Sequence, residues 1–147
     1  MEYYLARTSH GSTLSSVVHA AVLARINPDR AWPLFRAALS ADLADIQGGT
    51  TCEGIHLGAM AGTVDILERS YAGVDRLSDE IRVDPHLPEQ IRSLGFWENF
   101  RDRWFRFSFS QELFRAALAP DGLGPATIVV RDKKYSVAPG ATLEVVV

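Results

Sequence analysis

The chain has 147 residues, of which 47% are hydrophobic and 22% are charged, a composition typical of a globular protein. A formal net charge of −3 argues against a nucleic-acid partner, and no apolar run approaches the ~20 residues that cross a bilayer, so no membrane association is predicted. The single cysteine excludes an internal disulfide, and the N-terminus lacks the features of a signal peptide, so a cytoplasmic protein is expected.

Residues 1–75 predict a helical unit. Ser12 or Thr13 is the expected N-cap of the first helix, because a hydroxyl there accepts a bond from a free backbone N–H. Asn27 and Pro28 fit the cap and first position of the second helix, and Pro33 is expected in its first turn, where proline is tolerated. The short connection predicts an antiparallel hairpin. The stripes predicted to be buried are Leu14, Val17, Val18, Ala21, Val22 and Ile26, then Trp32, Phe35, Leu39, Leu43 and Ile46.

A third helix is predicted from about residue 54 to residue 71, with Gly73 as its C′ glycine. Gly58 and Gly62, together with the alanines between them, leave one side of this helix almost without side chains. Glycine inside a helix costs about 1 kcal/mol relative to alanine, so we expect a neighbouring helix to approach this side closely.

Residues 76–147 predict a small antiparallel β-sandwich, which makes the fold class α+β. Phe105, Phe107 and Phe109 fall on one face and Trp104, Arg106 and Ser108 on the other, as in a strand. Turns are expected at Asp102 and around Asp132, and regularly spaced short strands favour a sandwich. Residues 112–119 fit a helix or a strand equally well. The three tryptophans lie in apolar patterns and are assigned to the core rather than to sugar stacking; they are Trp32, Trp97 and Trp104.

The segment between the second and third helices contains the highest concentration of candidate functional side chains. Residues 45–63 read DIQGGTTCEGIHLGAMAGT, in which Gly48 and Gly49 break a helical pattern and are followed by hydroxyls, Glu53 and His56. Backbone N–H groups at such a junction favour an anion, but a packed loop with capping residues fits too. Four scattered histidines and one cysteine lack metal-site spacing, so no metal and no cofactor are predicted.

This segment resembles a signature of glycoside hydrolase family 65, which contains maltose, trehalose and kojibiose phosphorylases and some α-glucoside hydrolases. Residues 7–15, RTSHGSTLS, are similar to a second family segment, T-x-H-x-S-x-L-S. The resemblance implies the last helices of an (α/α)6 barrel in residues 1–75 and the C-terminal β-sandwich in residues 76–147. It also implies that much of the enzyme is missing, including the glutamate that acts as general acid.

The resemblance implies a phosphate pocket built from these two loops. Ser12 and His56 are the first candidates to bind inorganic phosphate as co-substrate, with Arg7, Gly11 and Thr51 as further candidates. An anionic nucleophile needs convergent donors, which hydroxyl, imidazole and backbone N–H groups provide. Two alternatives stay open, since Ser12 can be only an N-cap and Arg7 only a surface charge.

Glu53 has two possible roles, a cap of the third helix or the base carboxylate that an inverting hydrolase requires. Phosphorolysis needs no such base, because phosphate itself attacks. The resemblance therefore implies the C-terminal part of an inverting phosphorylase or hydrolase of an α-linked glucose disaccharide, with trehalose preferred. The alternative is a non-catalytic remnant or accessory subunit that docks onto a partner chain completing the barrel. Self-association through unpaired helix faces is also expected.

Overall fold

The computed structural model describes residues 3, 7, 8, 12–45, 48, 49, 52, 54–76, 79–121 and 123–147. The chain separates into two compact units, Met1–Tyr71 and Ala72–Val147. The described part of the first unit is helical and that of the second consists of β-strands, so the fold class is α+β. None of the described helices is long and apolar enough to cross a membrane.

The described part of the helical unit contains α1 (Thr13–Ala24), α2 (Pro28–Leu39) and α3 (Leu57–Asp65), followed by a π-helix (Ile66–Tyr71). Both predicted N-caps are confirmed: Ser12 accepts from the backbone N–H of Leu14, and Asn27 accepts from that of Arg30. The third helix begins at Leu57 rather than at residue 54, and its last turns widen into the π-helix. Pro33 lies inside α2 rather than in its first turn, on an exposed position.

The buried faces of α1 and α2 differ from the predicted ones. Val17 and Phe35 are buried as predicted, but Val18 is 58% exposed and Leu43 is 89% exposed. The other predicted positions that are exposed are Leu14, Val22, Ile26 and Leu39, whereas Trp32 and Ala21 are partly buried and Ile46 lies outside the described residues. The buried residues of α1 are instead mostly small, and they are Thr13, Ser16, Val17, Ala20, Leu23 and Ala24. Periodicity predicted one apolar stripe on α1, but α1 has two apolar faces. The face with the smaller residues is the buried one.

Small residues bring α1 and α3 together, as the glycine pattern predicted. A Cβ atom added at Gly58 would lie 3.1 Å from Leu14 Cδ2, and one at Gly62 would lie 2.4 Å from Val17 Cγ1. Leu14 precedes Val17 in α1 just as Gly58 precedes Gly62 in α3, so the two helices run side by side in the same direction. Their N-terminal ends therefore lie at the same end of the helical unit.

The β unit contains two four-stranded sheets in its described part, with strand orders β1-β2-β6-β7 and β3-β4-β5-β8. The strands are β1 (Val74–Asp75), β2 (Ile81–Val83), β3 (Ser93–Phe100), β4 (Arg103–Ser110), β5 (Leu113–Leu118), β6 (Ala126–Val130), β7 (Lys133–Val137) and β8 (Thr142–Val146). The predicted alternation in β4 is confirmed, because Phe105, Phe107 and Phe109 are all buried in one core. Residues 112–119, ambiguous from sequence, form β5.

Two predictions for the β unit are wrong. The β2–β6 pair is parallel, so the first sheet is mixed rather than antiparallel. Trp97 and Trp104 are 61% and 50% exposed and do not belong to the core. Both lie on the outer face of the second sheet, because the inner face is filled by phenylalanines. Period-2 alternation separates the two faces of a strand, and the aromatic residues here occupy both.

Candidate functional site

Ser12 and His56 occupy equivalent places at the beginnings of two neighbouring helices. Ser12 is the N-cap of α1 and His56 is the N-cap of α3. Because α1 and α3 run in the same direction, these two beginnings lie at the same end of the helical unit. Each beginning therefore carries a side chain that can bind an anion, a hydroxyl at α1 and an imidazole at α3, and helix N-termini favour negative charge.

The Ser12 hydroxyl can make further hydrogen bonds while it caps α1. Its Oγ accepts a bond from the Leu14 backbone N–H at 3.3 Å, and its carbonyl oxygen accepts from Ser15 Oγ at 2.8 Å. A serine hydroxyl has one proton to donate and two lone pairs, and the cap uses only one lone pair. Ser12 is exposed. Its hydroxyl proton is thus compatible with an anionic ligand while the cap is kept.

His56 is held by the carboxylate of Asp42, a residue that the sequence did not single out. Nδ1 of His56 lies 2.5 Å from Asp42 Oδ1. The backbone N–H of His56 donates to both carboxylate oxygens, at 2.9 Å and 3.2 Å. The two side chains are 24% and 11% exposed. The bond from the His56 ring is the main reason why the pKa of Asp42 lies below its usual value.

Asp42 lies in the turn that follows the C-terminal end of α2. A carboxylate close to a helix C-terminus is electrostatically unfavourable. The apolar stripe of the predicted second helix extends to Ile46, so no signal in the sequence places Asp42 at a helix end. The partner is separated from it by the loop, so the sequence alone does not identify His56.

In the described part of the loop between Asp42 and His56, Asp45 bonds to two glycines. Its carboxylate accepts from the Gly49 backbone N–H at 2.6 Å, and its carbonyl accepts from that of Gly48 at 2.9 Å. Gly48 and Gly49 have φ angles of 69° and 105°, and no atom lies within 4 Å of where a Cβ would be. Glycine is required here for the backbone conformation and not for lack of space. Cys52 is exposed and donates through Sγ to the Gly49 carbonyl.

Of the other predicted site residues, Arg7 is the one that the structure describes. The Arg7 guanidinium stacks on the Tyr3 ring, 3.9 Å from its centroid, and donates to the Tyr3 carbonyl at 3.4 Å. Gly11, Thr51 and Glu53 lie outside the described residues, so their predicted roles stay predictions. Among the residues that the structure describes, no cluster of three metal-ligating side chains is found.

Sequence profiles of one enzyme family match both units. The profile of the glycosyl hydrolase family 65 central catalytic domain matches residues 1–65. The profile of the family's C-terminal domain matches residues 75–137. A solved structure assigned to a kojibiose phosphorylase from the human microbiome matches with a TM-score of 0.84 and 24% identity, over 99% of this chain and 19% of that chain. This likeness shows that the two share a fold.

Longer relatives have similar sequences. A glycosyl hydrolase of Mycobacterium tuberculosis, itself uncharacterized, is 55% identical over 96 residues, which are 65% of this chain and 7% of the relative. Trehalose 6-phosphate phosphorylase of Lactococcus lactis is 39% identical over 101 residues, which are 68% of this chain and 13% of the relative. The two profiles together place the chain among glycosyl hydrolase sequences. The chain belongs to glycosyl hydrolase family 65.

Proposed function

We propose that this chain forms the C-terminal part of an inverting α-glucoside phosphorylase that uses inorganic phosphate as co-substrate and no cofactor. Residues 1–75 would supply the last helices of an (α/α)6 barrel, and residues 76–147 the C-terminal domain. Support comes from the two family profiles and from relatives that are phosphorylases of trehalose, kojibiose and maltose. The chain spans 7% and 13% of the length of the two relatives described above, so most of the enzyme would come from elsewhere.

The observation that best supports this function is the pair of helix beginnings at Ser12 and His56. Phosphate needs several donors that converge without being used by other partners. Ser12 Oγ keeps its proton after capping α1, and His56 keeps Nε2 after pairing with Asp42 through Nδ1. The beginnings of α1 and α3 lie at the same end of the helical unit, where the backbone N–H groups of Leu14 and His56 are already bonded to Ser12 and Asp42. The general acid would lie on a part of the enzyme outside this chain.

The exposed stripe of α1 supports an incomplete barrel. Leu14, Val18 and Val22 repeat every four residues and are exposed, and Ile26 extends the stripe beyond the helix. Exposed apolar side chains that share one helix face are candidates for a contact site. We propose that further barrel helices cover it. If those helices are on a separate polypeptide, the same face supports the alternative function, an accessory subunit that completes a partner's barrel.

We propose an α-linked glucose disaccharide of the trehalose type as substrate. The trehalose 6-phosphate phosphorylase of Lactococcus lactis is 39% identical, and an α,α-trehalose phosphorylase of Thermoanaerobacter brockii is 27% identical over 95% of this chain. Trehalose and trehalose 6-phosphate should therefore be assayed side by side, with kojibiose and maltose as comparison substrates.

The experiment measures initial rate against phosphate concentration in a complete enzyme. This chain replaces the matching segment of the Lactococcus lactis phosphorylase, and Ser12→Ala and His56→Ala are made in that chimera. A lost charge-assisted bond contributes roughly 1.5–3 kcal/mol, or about a tenfold to hundredfold effect, which should appear in the phosphate dependence and not in the disaccharide dependence. The control is His86→Ala, which removes a histidine that also faces a carboxylate but lies in the β unit.

A hydrolase would give a different pattern in the same assay. Its rate would not depend on phosphate, and Glu53→Gln would abolish activity, because a base carboxylate must then activate water. That result would reject the phosphorylase and assign Glu53 as the base. The unmodified 147-residue chain alone should release no glucose 1-phosphate, since it would lack the proton donor for the leaving sugar.

A further inference from the structure

The carboxylate of Asp42 holds His56 at two points, its backbone N–H and its ring. The backbone N–H bonds to both oxygens fix the start of α3, and the bond at Nδ1 fixes the ring against the same carboxylate. A side chain that merely caps a helix needs only the first of these contacts. The second contact occupies Nδ1, so Nε2 is the ring nitrogen that remains available to a ligand. A helix cap does not require this contact.

We propose that Asp42 is a positioning residue that accepts the Nδ1 proton of His56 and thereby presents Nε2 to a phosphate oxygen. The proposal rests on the phosphate role proposed above for His56. Within the described residues, Nε2 of His56 has no hydrogen-bond partner, and its side chain is partly exposed. A ligand can therefore reach the one ring nitrogen that Asp42 does not use.

Charge explains why the proton must be on Nδ1. An ionised carboxylate can only accept hydrogen bonds, so a contact of 2.5 Å with Asp42 Oδ1 requires a proton on the His56 nitrogen. The lowered pKa of Asp42 keeps it ionised at neutral pH. The tautomer of a histidine is set by the bond that its other nitrogen makes, as in carboxylate–histidine pairs at metal sites.

The fixed tautomer gives His56 two ways to bind phosphate. Neutral His56 has a bare Nε2 that accepts the proton of a P–OH group. Protonated His56 has an N–H at both nitrogens, so Nε2 donates to an ionised phosphate oxygen while Nδ1 still donates to Asp42. The negative charge of Asp42 then compensates the imidazolium. In both cases the ring keeps its orientation, because the Asp42 contacts do not change.

His86 provides an internal comparison in the β unit. Its Nε2, not its Nδ1, lies 3.1 Å from the carboxylate of Asp84, and the pair is more exposed. The two histidines therefore face carboxylates through opposite nitrogens. We expect opposite tautomers in one molecule, with the proton on Nδ1 of His56 and on Nε2 of His86.

The test is the imidazole ¹⁵N spectrum of the labelled 147-residue chain at a pH about two units above the ordinary histidine pKa of ~6.5. His56→Gln and His86→Gln assign the resonances. Parent His56 should have its proton on Nδ1. Asp42→Asn keeps an oxygen for the backbone N–H but loses the charge, so the His56 tautomer ratio should shift about tenfold or more toward Nε2–H. Asp84→Asn should change only His86.

Addition of inorganic phosphate, against potassium chloride of equal ionic strength, tests the ligand. His56 Nε2 should shift in the parent, and Asp42→Asn should raise the midpoint about tenfold. A proton on Nε2 of parent His56, or an unchanged midpoint in Asp42→Asn, would overturn the positioning role. The expected tautomer without any response to phosphate would instead reject the proposed phosphate site and leave the Asp42–His56 pairing intact. If Asp42→Asn does not fold, the tautomer of His56 in the parent chain still tests the positioning role of Asp42.

Discussion

The two units of this chain fill their cores in opposite ways. The β unit buries phenylalanines at Phe105, Phe107, Phe109 and Phe114, whose rings contact one another. The helical unit buries mainly alanines between its helices and leaves larger aliphatic side chains outside. The β unit thus has an aromatic core, whereas the helical unit leaves an apolar stripe of α1 exposed. We therefore expect core substitutions in the β unit to have the largest effects on stability, and substitutions on the α1 stripe to affect association.

The largest expected effect tests the core of the β unit. Phe107 is fully buried, with ring centroids of Phe105 and Phe114 at 5.5 Å and 5.7 Å. Phe107→Ala should lower the free energy of unfolding by about 3–5 kcal/mol, because it leaves a cavity among rings that cannot close up. Urea unfolding followed by tryptophan fluorescence measures it. Trp104→Ala, on the exposed face of the same strand, is the control and should cost much less. Equal losses would contradict the assignment of the core.

The pH dependence of stability tests the helical unit, because Tyr71 lies in that unit. Burial raises the pKa of Tyr71 to about 12, helped by the negative charge of Asp29. An unfolded tyrosine has a pKa of about 10, so above pH 10 the unfolded state releases a proton that the folded state keeps. Stability should fall as pH rises from about 10 to 12, by up to about 2.7 kcal/mol.

Tyr71→Phe should remove that portion of the pH dependence. The Tyr71 hydroxyl is buried and has no hydrogen-bond partner among the described residues, so this variant should be as stable as the parent at pH 7, or more so. Thermal unfolding by circular dichroism at pH 7 and at pH 10–11 measures both effects. A marked loss of stability at pH 7 would show that the hydroxyl has a partner.

The glycines of α3 test how closely the helices approach. A Cβ at Gly62 would lie 2.4 Å from Val17 Cγ1, on a stiff and buried side chain, so Gly62→Ala should cost about 1–3 kcal/mol. At Gly58 the neighbour is Leu14 Cδ2 at 3.1 Å, the end of a flexible and exposed side chain. Gly58→Ala should therefore be neutral or stabilise by up to about 1 kcal/mol through helix propensity. Thermal unfolding of both variants, followed by circular dichroism, measures these changes in stability. Equal changes would contradict the closer approach of α1 at Gly62 than at Gly58.

What the sequence predicts well here is decided by local chemistry. Ser12 and Asn27 cap their helices because a hydroxyl or amide competes for free N–H groups within three residues. The alternation in β4 follows from the pleat of a strand. The two loops of the candidate site were identified by their similarity to a known family. The helices that follow them were predicted, but α3 begins at Leu57 rather than at about residue 54.

What the sequence did not predict depends on contacts between distant segments. The pairing of Asp42 with His56 spans a loop, and the parallel β2–β6 pair joins strands far apart in the chain. The apolar stripe at Val18 was assigned to the core because periodicity measures the pattern of side chains and not the presence of a neighbour. The exposed tryptophans show the same ambiguity in the β unit.

The smallest expected effect concerns association and uses a matched pair of valines. Val18 is on the exposed stripe of α1, and Val146, which is 81% exposed, is on the edge strand β8 of the β unit. If the α1 stripe is a contact surface, the isolated chain should self-associate, and Val18→Lys should weaken that association at least about tenfold by burying a charge in the contact. Val146→Lys should leave it unchanged. Both should alter the free energy of unfolding by less than about 0.5 kcal/mol, since neither residue is buried. Sedimentation velocity over a range of concentrations measures the association. A parent chain that is monomeric at every concentration, or equal effects of the two lysines, would show that α1 does not provide the contact surface.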